Sequence, residues 1–204
     1  MAPRRPRLIV IAGPNGSGKT SIMLGLREHA WMHGCQYINP DLIAFKKYGG
    51  WDSREAFHQA ADEAEELRKL CLVQRRDLAF ETVFSTDEKV EFVRKAVAEG
   101  YFVRLFFVCT DSPEINIGRI KQRAISGEHS VPEDKVIARY PRSIARAALI
   151  IPLIDRGYIY DNTIERADPS LLFRTVDGRL QKLYRQPINP WAQPILHALK
   201  DSGA

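Results

Sequence analysis

Short apolar runs alternate with amphipathic segments along most of the chain. The apolar runs predict five strands, at residues 8–12, 36–39, 78–83, 101–109 and 157–162. The segments between them repeat apolar residues at helical spacing. They predict a helix after the first run and further helices at about 53–76, 85–99, from 113 onward, and at about 132–154. Strands that alternate with helices indicate an α/β fold with an open, mostly parallel sheet and helices on both faces.

The last forty residues carry a different pattern. Two apolar runs, at 171–176 and 180–184, flank Asp177-Gly178, which is a strong signal for a hairpin. We expect this hairpin to be added at the edge of the sheet and to be followed by a short terminal helix. At 204 residues the chain is the size of one domain, so we expect a single unit over 1–204, with a core at about 8–163 and an extension at 164–204.

A phosphate-binding loop follows the first predicted strand. Its eight residues have the spacing G-x-x-x-x-G-K-[ST] of P-loop NTPases, in which glycines let backbone amides surround an anion at the start of a helix. In that motif Lys19 binds the β- and γ-phosphates and the hydroxyl of Thr20 binds Mg²⁺. The predicted nucleotide-binding residues are Gly13, Pro14, Asn15, Gly16, Ser17, Gly18, Lys19 and Thr20.

Two other interpretations of this loop are possible from the sequence. One is a glycine-rich turn that binds no ligand. The other is a dinucleotide-binding fold, because Asp41 follows the glycines by about twenty residues, where such folds place a ribose-binding acid. The spacing is against the second, since Ser21 stands where the third glycine of that fingerprint belongs. A nucleoside triphosphate such as ATP or GTP is the better prediction.

Composition restricts the class of protein. The formal net charge is +5, but Arg4, Arg5 and Arg7 supply three of these charges, so nucleic acid is not an expected partner. No apolar run reaches the roughly 20 residues of a membrane span, and the apolar stretch after the basic start runs into the phosphate loop, unlike a cleavable signal peptide. The three cysteines form no pair with metal-site spacing. We therefore expect a cytoplasmic protein.

Four charged residues are candidates for the chemistry of phosphoryl transfer to a hydroxyl. Asp41 could be the general base, or it could cap the helix that follows Pro40. Glu81, at the end of a predicted strand, could hold the acceptor or only a nearby backbone amide. Arg123 and Arg139 could stabilise the transferred phosphoryl group, although surface helices also carry arginines without a specific role. Elsewhere, Ser85 with Glu88 predicts a helix cap.

Several motifs occur together in an order that resembles the zeta toxin family of bacterial P-loop kinases. They are the loop 13–20, then 38–41, 80–82, the stretch from Arg123 through Gly127-Glu128-His129 to Arg139-Tyr140, and 160–162. The resemblance covers about 8–163. Relatives often show Gly-Gly-His where this chain has Gly127-Glu128-His129.

The resemblance implies a kinase that uses Mg²⁺ to move the γ-phosphate of ATP or GTP to a hydroxyl of UDP-N-acetylglucosamine. It implies that Asp41 is the base, that Asn39, Glu81 and Thr82 bind the acceptor, and that Arg123 and Arg139 clamp the phosphate. An antitoxin protein is a possible partner.

Two alternatives remain open from the sequence. The acceptor could be another small molecule or the end of a nucleic acid. The chain could also be an ATP-dependent binding or switch module that hydrolyses ATP slowly and signals to a partner.

Overall fold

A computed structural model describes residues 4–49, 53–125 and 131–200. The strands of the described chain are β1 Arg7–Ala12, β2 Gln36–Ile38, β3 Leu78–Thr82, β4 Phe102–Cys109, β5 Arg156–Asp161, β6 Ser170–Val176 and β7 Arg179–Leu183. Its α-helices are α1 Lys19–Leu26, α2 Pro40–Lys47, α3 Arg54–Val73, α4 Asp87–Ala98, α5 Pro113–Ile125, α6 Glu133–Ile150 and α7 Gln193–His197.

All seven strands form one sheet in the order β2-β3-β1-β4-β5-β6-β7. The first five strands run parallel to one another, β6 pairs antiparallel with β5, and β7 pairs antiparallel with β6. This arrangement confirms the predicted α/β fold with a mostly parallel sheet. Because β1 lies between β3 and β4, the loop after β1 emerges at the centre of the carboxyl edge, where open α/β sheets bind ligands.

The helices are distributed unequally over the two faces of the sheet. On one face, side chains of α3, α4, α6 and α7 join the strands in a large core that includes Phe80, Phe107 and Phe173. On the other face, α1 contributes Ile22 and Leu26 to a smaller core with β1, β3 and β4. The periodicity of the helices predicted that they cover the sheet, but not how many pack on each side.

The C-terminal hairpin forms where it was predicted. Asp177 and Gly178 connect β6 to β7 with φ angles of 51° and 79°. Positive φ at both central residues is the signature of the type I′ turn, which matches the twist of the paired strands. The short terminal helix is also present, as α7.

Some predicted boundaries were wrong. Ser85 does not begin α4, because Thr86 occupies the N-cap position and Asp87 is the first helical residue. The shift follows from Phe84, which takes a φ of 58° while its side chain is fully buried in the core. The helix predicted to reach 154 ends at Ile150 and passes into a 3₁₀ turn, Ile151–Leu153, because Pro152 has no N–H for a further helical bond.

None of the described helices is long and apolar enough to cross a lipid bilayer. The three cysteines are free thiols, of which Cys71 and Cys109 are buried and Cys35 is half-buried.

Candidate active site

The phosphate loop connects β1 to α1 in a conformation that needs its glycines. Gly16 and Gly18 have φ angles of 76° and 99°. A Cβ atom on Gly16 would lie 2.6 Å from the carbonyl oxygen of Asn116, and one on Gly18 would lie 2.1 Å from Nδ2 of Asn162. The loop therefore excludes larger residues at both positions, both for its backbone angles and for the close approach of its neighbours.

The buried part of the loop anchors it to two strands. The N–H of Gly13 donates to the carbonyl of Thr82 at 3.3 Å, and Nδ2 of Asn162 donates to the carbonyl of Ser17 at 2.9 Å. Ser17 itself is fully buried, and its hydroxyl has no hydrogen-bond partner among the described residues. These contacts fix the backbone so that the first amides of α1 face the cleft.

The side chain of Lys19, the first residue of α1, reaches back over the loop. Its ammonium donates to the carbonyls of Gly13 and Pro14, at 3.0 Å each. Burial lowers the pKa of Lys19 to about 8; the carboxylates of Glu81 and Asp41 oppose this shift, and the guanidinium of Arg123 adds to it. The pKa of Lys19 therefore depends on the charges of three other predicted site residues.

A cleft of about 1060 Å³ opens in front of the loop. The side chains around it bring most of the predicted site residues together in one space. Those that line the cleft are Asn15, Gly16, Gly18, Lys19, Thr20, Asn39, Asp41, Glu81, Thr82, Arg123 and Arg139. Gly13, Pro14 and Ser17 are buried within the loop behind this surface.

The residues of the loop fit a nucleotide with a bound Mg²⁺. Three glycines leave room for a phosphate to approach the backbone closely, and the amides of the α1 N-terminus supply the donors that an anion needs. Thr20 is exposed on the cleft, so its hydroxyl is accessible to a hard cation. Mg²⁺ is commonly held by few protein oxygens together with phosphate oxygens and water, which agrees with this donor set.

Asp41 lies in the first turn of α2, exposed to the cleft. The cap of this helix is Asn39, whose Oδ1 accepts the N–H of Asp41 at 2.8 Å. The alternative that Asp41 itself caps the helix is therefore wrong. Its role as a base stays a prediction, now without that competing explanation.

A hydrogen-bonded chain, which sequence reasoning missed, holds the carboxylate of Glu81. Tyr37 donates its hydroxyl to Oε1 of Glu81, and Nδ2 of Asn39 donates to the Tyr37 oxygen at 3.0 Å. Burial and the neighbouring Glu81 carboxylate raise the pKa of Tyr37, so the phenol keeps its proton. The position of Tyr37 in β2, one residue before Ile38, could have suggested a side chain at the same edge of the sheet.

Arginines of α5 and α6 border the cleft opposite the carboxylates. Arg119, Arg123 and Arg139 line it, whereas Arg142 is exposed elsewhere on α6. Nη1 of Arg139 lies 3.4 Å from Oδ1 of Asn15, so α6 reaches the phosphate loop directly. The predicted hinge, including Gly127, Glu128 and His129, lies outside the described residues.

α6 is fixed to the sheet by two hydroxyl groups. Tyr140 donates to the carbonyl of Thr110, just after β4, and Ser143 donates to the carbonyl of Val83, just after β3, each at 2.5 Å. Arg139 lies beside Tyr140 in sequence, so these bonds hold its part of the helix near the loop.

Two further cations that line the cleft were also missed. Arg68 of α3 is 4% exposed. Its guanidinium lies 5.4 Å from the centre of the Phe80 ring, and its Nη2 lies 3.8 Å from Oε1 of Glu88. Lys89 forms a closer ion pair with Glu88, at 2.5 Å. Arg68 follows the buried Ala60 and Ala64 at intervals of four residues, so its position on the buried face of α3 was a signal that this arginine is buried too.

Comparisons with known proteins identify relatives of this fold. The sequence profile of the zeta toxin family matches residues 1–149. An uncharacterized protein of Haemophilus influenzae (strain Rd) is 28% identical over 134 residues, which cover 66% of this chain and 92% of that protein. The PezAT chromosomal toxin–antitoxin system of Streptococcus pneumoniae contains a chain of similar structure, with a TM-score of 0.60, 19% identity, and coverage of 98% of this chain and 80% of that one.

The AvrRxo1-ORF1:-ORF2 complex with ATP also contains a similar chain. The TM-score is 0.68 at 16% identity, and the match covers 98% of this chain and 66% of that chain. The present chain thus spans about two thirds of that relative. Likeness at these identities concerns the fold, which is that of P-loop kinases.

Proposed function

The chain belongs to the zeta toxin family, and from that premise we propose that it transfers the γ-phosphate of ATP or GTP to a hydroxyl of a nucleotide sugar such as UDP-N-acetylglucosamine. The observation that carries the proposal is the composition of the cleft. One space of about 1060 Å³ contains the phosphate loop, the carboxylates of Asp41 and Glu81, and the arginines of α5 and α6. Phosphoryl transfer requires these groups together: donors for the phosphates, a base for the hydroxyl and fixed positive charge.

The nucleotide half of the site consists of the loop and Lys19. Backbone amides at the start of α1 bind the phosphates, and the ammonium of Lys19 moves from the carbonyls of Gly13 and Pro14 to the β- and γ-phosphate oxygens. Thr20 would hold Mg²⁺, which when bound neutralises charge on the phosphates. The structural relative that was crystallised with ATP supports this choice of nucleotide.

The acceptor half consists of residues that follow β2 and β3. Asp41 accepts the proton of the acceptor hydroxyl as the oxygen attacks phosphorus. Glu81 accepts a hydrogen bond from a second acceptor group, and its bond from Tyr37 keeps the carboxylate oriented. Asn39 and Thr82 lie beside them on the cleft wall and complete the acceptor site.

Arg123 and Arg139 stabilise the charge of the transferred phosphoryl group. Both line the cleft, and Arg139 already lies next to the loop residue Asn15. Guanidinium groups that are held in place by a helix offer positive charge without reorganisation at the moment of reaction.

We also propose an antitoxin partner and a cytoplasmic location. The support for the partner is the family itself and the fold shared with a chain of the PezAT toxin–antitoxin system. The support for the location is the proposed use of ATP and of a nucleotide sugar.

The reaction is tested by mass spectrometry of UDP-N-acetylglucosamine incubated with the protein, ATP and Mg²⁺, with the gain of one phosphate as the expected product. Asp41→Asn should reduce transfer by about a hundredfold or more, because general base catalysis contributes about 10² to 10⁴ in rate. Binding of ATP should change little, since the P-loop is untouched. Asp134→Asn, on an exposed residue of α6 that does not line the cleft, is the matched control and should leave the rate within about twofold.

The outcomes separate the parts of the proposal. Phosphorylation of a different sugar, nucleoside or nucleic-acid end would retain the kinase and correct the acceptor. Unchanged transfer by the Asp41→Asn protein would remove Asp41 as the base. ATP hydrolysis that a protein partner stimulates, without any phosphorylated small molecule, would replace the kinase by a switch module.

A further inference from the structure

One face of the sheet is open beside β5, β6 and β7. On the side where α1 packs, the buried core contains side chains from α1, β1, β3 and β4. No other described helix joins that core. The turn after α1 reaches β5 on this side, where Trp31 packs against Tyr158 with ring centres 5.7 Å apart. Beyond it, β6 and β7 present their side chains without a covering helix.

The strand registers show which side chains share this face. Phe106 of β4 pairs with Tyr158, Tyr158 pairs with Arg174, and Arg174 pairs with Lys182, which makes one row across four strands. Adjacent strands lie about 4.8 Å apart, so the row is continuous. A second row contains Arg104 and Arg156. We call the following set the open face: Arg104, Arg156, Tyr158, Arg174, Lys182 and Tyr184.

The open face has more positive than negative charge. Nη1 of Arg156 lies 3.3 Å from Oδ1 of Asp177, which is an ion pair at the end of the β6–β7 hairpin. Within the described ranges, Arg104, Arg174 and Lys182 form no ion pair with a carboxylate. Three cations on a surface four strands wide make a patch that attracts a polyanion.

Aromatic rings lie between these cations. Tyr158 stacks on Phe106 with ring centres 4.7 Å apart and planes 7° apart. The guanidinium of Arg104 lies 4.5 Å from the ring centre of Trp31. Nζ of Lys182 lies 4.9 Å from the centre of the Tyr184 ring, and Tyr184 is 40% exposed. Phe106 is buried and Trp31 also packs against Tyr158, so Tyr184 at the edge of the sheet is the most exposed ring of the open face. The surface thus combines a row of aromatic rings that ends in an exposed tyrosine with cations that lack acidic partners.

We propose that the open face binds single-stranded nucleic acid. Nucleobases stack on aromatic side chains of a sheet, and phosphates bind arginine and lysine between them. An acidic protein segment would use the cations but would gain little from the rings. The low net charge made nucleic acid an unexpected partner, but the fold concentrates positive charge on one side, and local charge determines such binding.

The test is the fluorescence anisotropy of labelled oligo-U and oligo-dT of about 20 nucleotides with the full chain, at salt between about 50 and 200 mM. Binding should weaken steeply with salt. Arg174→Ser combined with Lys182→Ser should weaken it about tenfold and reduce the salt slope by about 1.4, since each phosphate contact on a single strand contributes about 0.7. If Arg174 is needed for folding, Lys182→Glu alone carries the test, because Lys182 is exposed on the edge strand.

The control variant is Arg94→Ser with Lys95→Ser, which removes the same charge from exposed positions on α4, on the opposite side of the sheet. It should bind the oligonucleotides as the unaltered chain does. Equal weakening by both double variants, no binding at the lowest salt, or equal competition by polyglutamate would each overturn the proposal. Displacement of the oligonucleotide by ATP would also overturn the proposal, since the oligonucleotide would then occupy the cleft. Because the Asp41→Asn protein should bind normally, the result is independent of the kinase reaction.

Discussion

The contact between Gly18 and Asn162 provides the sharpest test of how the phosphate loop is built. A Cβ atom on Gly18 would lie 2.1 Å from Nδ2 of Asn162, which is far inside van der Waals contact. The same nitrogen donates to the carbonyl of Ser17 at 2.9 Å, and Asn162 is 9% exposed. Gly18→Ala must therefore displace the amide group and break that hydrogen bond.

The structure gives the magnitudes. An alanine in left-handed conformation, as at the φ of 99° of Gly18, costs about 1–2 kcal/mol. Loss of the bond leaves a buried carbonyl unsatisfied, at about 1–3 kcal/mol. We therefore expect Gly18→Ala to lower the free energy of unfolding by about 2–5 kcal/mol and Asn162→Ala to lower it by about 1–3 kcal/mol.

The double variant separates the two causes. Once Asn162 is alanine, the clash is absent and the bond is already lost, so the second substitution adds only the backbone strain. The double variant should be about as stable as Gly18→Ala alone, with a coupling free energy of about 1–3 kcal/mol. Urea unfolding followed by far-UV circular dichroism measures all four proteins. Gly25→Ala is the matched control, since nothing lies within 4 Å of its Cβ position, and it should stabilise α1 by about 0.5–1 kcal/mol.

Additive losses in the double variant would refute this account, because they would mean that Gly18 is required for its backbone angles alone. Full stability of Gly18→Ala would refute the geometry of the loop itself.

Two further predictions concern the chemistry of the cleft. The pKa of Lys19 is about 8, and bound phosphates favour the charged form of this lysine. Above about pH 8, ATP binding in EDTA should therefore take up a proton and weaken as pH rises. Calorimetry measures this, and a binding enthalpy that does not depend on the buffer would contradict it. Tyr37→Phe removes the donor to Glu81 and should reduce kcat/KM for the acceptor about tenfold without altering the KM for ATP. A raised KM for ATP instead would place Tyr37 in the nucleotide half.

The features that the sequence predicted correctly depend on local patterns. The phosphate loop has fixed spacing between a strand and a helix, and the Asp177-Gly178 turn requires residues that accept positive φ. Both patterns act within a few residues, so no tertiary information was needed. The parallel order of the strands followed from their alternation with helices, because such connections allow few topologies.

The errors arose at positions whose structure is determined by packing between elements that are distant in sequence. Ser85 has the composition of a cap, but the burial of Phe84 moves the start of α4 onward. No role was predicted for Arg68 from the sequence, yet it packs on Phe80 from another element. The open side of β5 had a signal that was not used, since Arg156, Tyr158 and Tyr160 alternate with Gly157 and Ile159, as in a strand with one uncovered face.

The two proposed halves of the cleft depend on different kinds of residues. This difference predicts how relatives in the family should vary. The proposed nucleotide half consists of backbone amides, Lys19 and arginines that lie within recognisable motifs, so its chemistry can be inferred from short segments. The proposed acceptor half depends on Tyr37 of β2, which holds Glu81, and the cleft is also lined by Arg68 of α3 and Lys89 of α4; all three residues lie outside those motifs. Substitutions at such positions can change the shape and charge offered to the acceptor while leaving phosphate binding intact. Relatives with the same phosphate loop are therefore expected to share the donor more widely than the acceptor.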